Sequence, residues 1–174
     1  MATVGLLTLF TLTPSTLFQS EAVTKVSAAA KVPTEQIKLT TVDGQQFTLA
    51  GLRGKVVVLD FFAMQCAHSR DHIRETMTQF SSEQINQGLQ IIGIESESST
   101  ADQVRQYIAD QKINYPVAQI DEPTFAQFVK SRDLSAPQTL VFGRDGKLVL
   151  HTNGHSTENE ARIRAAVQKA LDKK

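Results

Sequence analysis

The sequence predicts an α/β fold: a central mixed β-sheet flanked by helices on both faces, opened by an N-terminal β-hairpin. Three observations carry that expectation. Continuous apolar runs, Val56 to Phe62 and Leu89 to Ile94, suit strands covered on both faces. A helix-spaced stretch follows each run, so the strands pair in parallel through crossovers. Near the C-terminus, Gln138-Thr139-Leu140-Val141-Phe142 and Lys147-Leu148-Val149-Leu150 flank Asp145-Gly146, a hairpin that adds an antiparallel edge.

The elements follow in order. Residues 1–22 hold a short apolar core, Val4 to Leu12, with no charge before Glu21 and a small-x-small pattern at Ser20-Glu21-Ala22. This reads as an export signal, too short and too rich in threonine for a membrane span. Residues 23–36, with Ala28-Ala29-Ala30 and Pro33, read as a linker into one domain over 37–174. Ile37-Lys38-Leu39-Thr40, the Asp43-Gly44 turn and Gln46-Phe47-Thr48-Leu49 form a hairpin. The first buried strand then ends at a short polar link, and the only cysteine, Cys66, stands at the start of a helix. Ile73, Met77 and Phe80 fall at i, i+4, i+7, one face of a helix expected to run until near Gly88.

After the second run, Ser99-Thr100-Ala101-Asp102 resembles a capping box and opens a helix with Val104, Tyr107 and Ile108 inward. Tyr115-Pro116-Val117-Ala118 is a short strand, and Glu122 to Val129 a short helix. Past the closing hairpin, Thr157-x-x-Glu160 has the form of a capping box. It starts a terminal helix with Ile163, Val167, Ala170 and Leu171 inward.

Composition excludes several classes of function. The 174 residues carry 18 Lys+Arg against 18 Asp+Glu, with no basic block, so nucleic-acid binding has no electrostatic support. One cysteine rules out an internal disulfide, a cysteine-based zinc site and an intramolecular dithiol cycle. What remains is the chemistry of one thiol. At a helix N-terminus the unpaired N–H groups and the dipole favour an anion, biasing Cys66 towards thiolate, the nucleophilic form. His68, two residues on, would reinforce that bias as an imidazolium. The bland alternative is a small buried hydrophobe.

From about Ile37 to Leu171 the sequence resembles the thioredoxin superfamily, in the version used by exported thiol–disulfide proteins of the TlpA/ResA type. The resemblance rests on "LRGKVVVLDFFA", "IIGIESES", "YPVAQID" and "APQTLVFGRDGKLV", in that order. It implies the thioredoxin fold with an N-terminal hairpin and a strand–helix insertion. It places Cys66 on the attacking cysteine, Pro137 on a proline that is cis and faces that cysteine, and Asp60 on a buried acid. Three positions depart from the pattern. Ser69 replaces the resolving cysteine, Gln65 replaces a tryptophan beside the sulfur, and Phe62 stands where a second tryptophan is common.

These residues form the candidate site. Cys66 is the nucleophile, with Ser69, His68, Asp60 and Pro137 around it. Gln65, Ala67, Ala136 and Pro137 form the substrate-contact set, where backbone groups beside a cis Ala136–Pro137 bond would pair with an extended segment. Ser69 can donate a hydrogen bond to the sulfur, or simply satisfy a backbone group in the first helical turn. Asp60 is costly to bury as a charge and so either relays a proton near Cys66, as the resemblance implies, or is satisfied by neighbours in a structural role. His68 and His72, four apart, with Cys66 make a lesser candidate for a metal site, though two such histidines are more often solvated. His151 and His155 are assigned to a loop, and Glu95 and Glu97 to the surface.

The expected function is monothiol thiol–disulfide exchange, the mixed disulfide being resolved by an external thiol. It needs no cofactor. Its partners would be a disulfide-containing or glutathionylated protein, or an extended peptide, met outside the cytoplasm; a cytoplasmic location is the alternative. A redox-inactive binding module is the second reading. Peroxide reduction is weaker, because Ala63 stands where that chemistry places a threonine. A metal chaperone would need Cys66, His68 and His72 to converge.

Overall fold

The computed structural model describes Met1 and residues 33–97, 99–130 and 133–173. The expected export signal and most of the expected linker lie outside the described residues. Among the described residues, no helix is long and apolar enough to cross a membrane.

Seven strands form one mixed sheet. β1 (Leu39–Thr41) and β2 (Gln46–Phe47) make the N-terminal hairpin, and β3 (Val56–Phe62) is the central apolar run. α1 (Ala67–Gln79) and α2 (Ser82–Asn86) lead to β4 (Leu89–Glu95), which pairs parallel to β3. α3 (Ala101–Gln111) leads to β5 (Val117–Gln119), and α4 (Glu122–Val129) precedes β6 (Gln138–Phe142). β7 (Leu148–Asn153) and α5 (Thr157–Leu171) complete the chain. The strand order is β2-β1-β5-β4-β3-β6-β7, with β6 antiparallel to β3 and β7 antiparallel to β6.

Alternation along β3 divides the core into two layers, because successive side chains point to opposite faces. Val57, Leu59 and Phe61 meet Phe125 and Phe128 of α4, and the Phe61 and Phe125 rings stack at 4.7 Å. On the other face Val56 and Val58 pack with Ile163, Val167 and Leu171 of α5, and Phe62 with Ile73 of α1 and Val104 of α3. Each such side chain, removed from water, contributes roughly 1.5–3 kcal/mol. Asp60 lies between Val58 and Phe62 on this second face, under α1 and α5.

The structure corrects the sequence reading at five places. The first helix does not run to Gly88. It stops at Gln79, and Ser81 restarts the chain as α2 through a capping box with Gln84. The cap of α3 is Thr100 with Gln103, not Ser99 with Asp102. The cap of α5 is Ser156, whose hydroxyl accepts from the Asn159 N–H, so Glu160 is released from capping and turns inward. His151 lies within β7, where its Nε2 meets Gln138 Oε1 at 2.8 Å. Glu95 is buried. Its Oε1 accepts from the Glu97 N–H and the Ser99 hydroxyl, and its Oε2 accepts from the Gln119 amide.

Candidate functional site

Cys66 is the N-cap residue of α1, in extended conformation, and no side chain caps the helix. A turn closed by the Cys66 N–H on the Ala63 carbonyl carries the chain from β3 into this position. An anionic sulfur here faces the positive end of the helix dipole. The thiol is half-buried, and its Sγ lies 3.5 Å from the Ala136 carbonyl oxygen, to which it donates. The Ala136–Pro137 peptide is cis. Two segments 70 residues apart thus meet at the sulfur: the α1 start and the loop entering β6.

That loop is held by groups whose role the sequence reading did not assign. The buried Gln138 amide donates to the carbonyls of Asp133 (2.9 Å) and Ser135 (2.7 Å), while its oxygen faces His151. The Asn153 amide donates to the Asp133 carboxylate at 2.6 Å, and the Gly154 N–H to the Pro137 carbonyl at 2.8 Å. Nothing in a lone glutamine before an apolar strand signals this; only the β6–β7 register brings the partners together. Of the expected contact residues, Gln65 and Ala67 are exposed, Ala136 is half-buried and Pro137 buried.

Ser69 is fully buried, and its hydroxyl oxygen accepts the Ala63 N–H at 3.2 Å. Of the two roles open to it, the structure shows the backbone-satisfying one. His68 is exposed.

Asp60, His72 and Glu160 form a buried charged cluster that the sequence reading missed. All three are inaccessible, at 0, 2 and 0% exposure. His72 Nδ1 lies 2.5 Å from Glu160 Oε1, and Nε2 lies 2.8 Å from Asp60 Oδ1 and 3.0 Å from the Thr139 hydroxyl. Burial alone would lower the His72 pKa, but the flanking Asp60 and Glu160 outweigh it and raise it from 6.5 to about 10. The imidazole is therefore a cation at neutral pH. Tyr115 donates to Asp60 Oδ2 at 3.1 Å, and burial followed by the Asp60 charge pushes that phenol well above its ordinary range. Gly93 makes this reach possible: it pairs with Asp60 across the sheet, and a Cβ there would meet the Tyr115 ring at 2.9 Å.

This arrangement corrects the reading of His72 as a solvated residue or a metal ligand beside Cys66 and His68. Both of its ring nitrogens are engaged by α5 and the sheet, while His68 points to solvent. Asp60, for its part, faces His72 through Oδ1 as an ion pair and accepts from Tyr115 at Oδ2. The buried stripe of α1 is Ser69, His72, Ile73 and Thr76, mostly polar, which hydrophobic spacing does not reveal.

Comparison with known proteins places this geometry. The AhpC/TSA family model matches residues 29–151. Among curated proteins, none matches the chain. Several solved structures resemble it. A thiol:disulfide interchange protein of the thioredoxin family from Chlorobium tepidum TLS is 27% identical, with a TM-score of 0.66 over 80% of this chain and 95% of that one. A thiol-disulfide isomerase from Corynebacterium glutamicum is 20% identical (TM-score 0.61, 79% and 96% covered). A secreted Mycobacterium tuberculosis disulfide oxidoreductase homologous to E. coli DsbE is 18% identical (TM-score 0.60, 78% and 97% covered). The fold is the thioredoxin fold.

Proposed function

The chain belongs to the AhpC/TSA family, and from that premise we propose that it is a monothiol thiol–disulfide exchange protein. The observation that supports this best is the meeting of Cys66, at the uncapped start of α1, with the Ala136 carbonyl beside the cis Ala136–Pro137 bond. The Cys66 thiolate attacks one sulfur of a partner disulfide. The partner's S–S bond breaks, a mixed disulfide forms at Cys66, and the second partner sulfur leaves as a thiolate. Ser69 cannot displace the adduct, so an external thiol attacks it, frees one product and regenerates Cys66. Each turnover leaves the number of disulfides unchanged, which is isomerisation or deglutathionylation rather than net dithiol reduction.

The substrate on this reading is a disulfide-containing or glutathionylated protein, presenting an extended segment to Gln65, Ala67, Ala136 and Pro137. The apolar N-terminal core and the secreted Mycobacterium protein of like fold support an extracytoplasmic location. The test is recovery of a scrambled-disulfide substrate in a glutathione buffer. The chain should accelerate recovery, and Cys66→Ala should abolish the acceleration; equal rates with and without Cys66 would refute the proposal.

One observation favours a second reading, a redox-inactive binding module. The contacts shown for Ser69 and Asp60 run to Ala63, His72 and Tyr115 and not to the sulfur. Such a module would hold an extended peptide as tightly with Cys66→Ala as without it. Peroxide reduction stays the weaker reading, given Ala63 in the place of a threonine.

A further inference from the structure

A second group of chemically competent side chains lies outside the thiol site. Glu75 of α1, His155 of the link between β7 and α5, and Glu160 of α5 each offer a ligand atom, all within 4.8 Å of one another. We propose that these three residues bind a divalent cation of the zinc class.

The two carboxylates meet the histidine differently. Glu160 Oε1 is engaged by His72, while Oε2 is buried and has no hydrogen-bond partner. An orphaned carboxylate oxygen inside a protein is costly unless something meets it. Glu75 spends Oε1 on the Arg164 guanidinium at 2.9 Å and presents Oε2 to His155 Nε2 at 3.4 Å. His155 Nε2 also lies 3.9 Å from Glu160 Oε1, the oxygen that His72 holds. Ligands about 2.0–2.1 Å from a tetrahedral zinc stand about 3.4 Å apart; the Glu75–His155 pair already stands so, and Glu160 would close by turning its unpartnered Oε2 to the ion.

The supporting contacts fit the same purpose. Ligating carboxylates are usually held by a hydrogen bond on the other oxygen, and His72 and Arg164 supply those holds. His72 is in turn anchored by Asp60. With one nitrogen, two oxygens and no sulfur, the donor set suits zinc or a neighbouring first-row ion. Three protein ligands leave the fourth position to water. The ion would tie α1 to the start of α5, two elements some 80 residues apart in the chain.

The test uses the full chain carrying Cys66→Ala, which removes the only thiol as a competing ligand. After EDTA treatment and dialysis, zinc chloride is titrated calorimetrically and cobalt chloride by absorbance. The expected result is one ion per chain, a tetrahedral cobalt spectrum, and at least tenfold weaker binding in Glu75→Gln and in His155→Ala. Each variant is checked for an unchanged metal-free unfolding midpoint, and the two together guard against one failing to fold. Absence of stoichiometric binding, or binding that both variants leave intact, would overturn the proposal.

Discussion

His72 is the residue on which the second layer of the core turns. Desolvation works against its charge, and two carboxylates more than reverse that. Removing one partner of a buried ion pair leaves the others uncompensated, at roughly 3–5 kcal/mol. His72→Gln should therefore destabilise the protein by about that much in urea unfolding near neutral pH. The sign of the pH dependence follows from the raised value. A group that holds its proton more tightly when folded contributes fully below its unfolded pKa of 6.5, and the contribution is lost as pH rises towards 10. The gap in stability between the wild type and His72→Gln, measured with EDTA present, should be widest near pH 6 and narrow steadily to pH 10. A gap independent of pH would mean that His72 is neutral when folded.

At the scale of elements, β3 and α1 position the sulfur, and β4 makes room for the cluster beneath it. Gly93 sits opposite Asp60, where any side chain would strike the rings of Tyr115 and Phe62 and the Val117 side chain, at 2.9, 3.3 and 3.2 Å. Gly93→Ala should cost about 1–3 kcal/mol, the range for overpacking a filled core. Chemical denaturation checks the cost, and the near-ultraviolet signal of Tyr115 should change with it. Stability equal to the wild type would show that the Tyr115 ring moves aside freely. The same element scale explains what could be read in advance. β3, the closing hairpin, the short α4 and the cysteine at a helix start all announce themselves in local patterns of two to fifteen residues. The break between α1 and α2 does not, because Phe80 keeps the apolar spacing intact up to the residue before Ser81. Ser156 and Thr157 are both good caps, so local pattern puts the α5 cap one residue late and leaves the inward turn of Glu160 unseen.

Across the whole molecule, long-range pairing separates the legible from the illegible. His72 meets a carboxylate 88 residues away, and Gln138 steadies a loop through a strand partner 13 residues on. Neither pairing leaves a periodic trace. The meeting of Cys66 with Ala136 spans 70 residues as well; spacing leaves no trace of it, and only the resemblance puts the neighbouring Pro137 opposite the cysteine. The result is a domain with two separate chemistries on the α1 side. A thiol opens at the N-terminal end of the helix, and a charged, buried cluster lies farther along it.

The measurement closest to the central claim is the reaction of Cys66 with oxidised glutathione, followed by intact mass, on native protein and on protein unfolded in urea at the same pH. The account predicts a single glutathione adduct per chain, formed at least tenfold faster in the native state and discharged by added thiol. A native rate equal to or below the unfolded one would contradict it, leaving Cys66 an ordinary thiol in a thioredoxin fold that serves for binding alone.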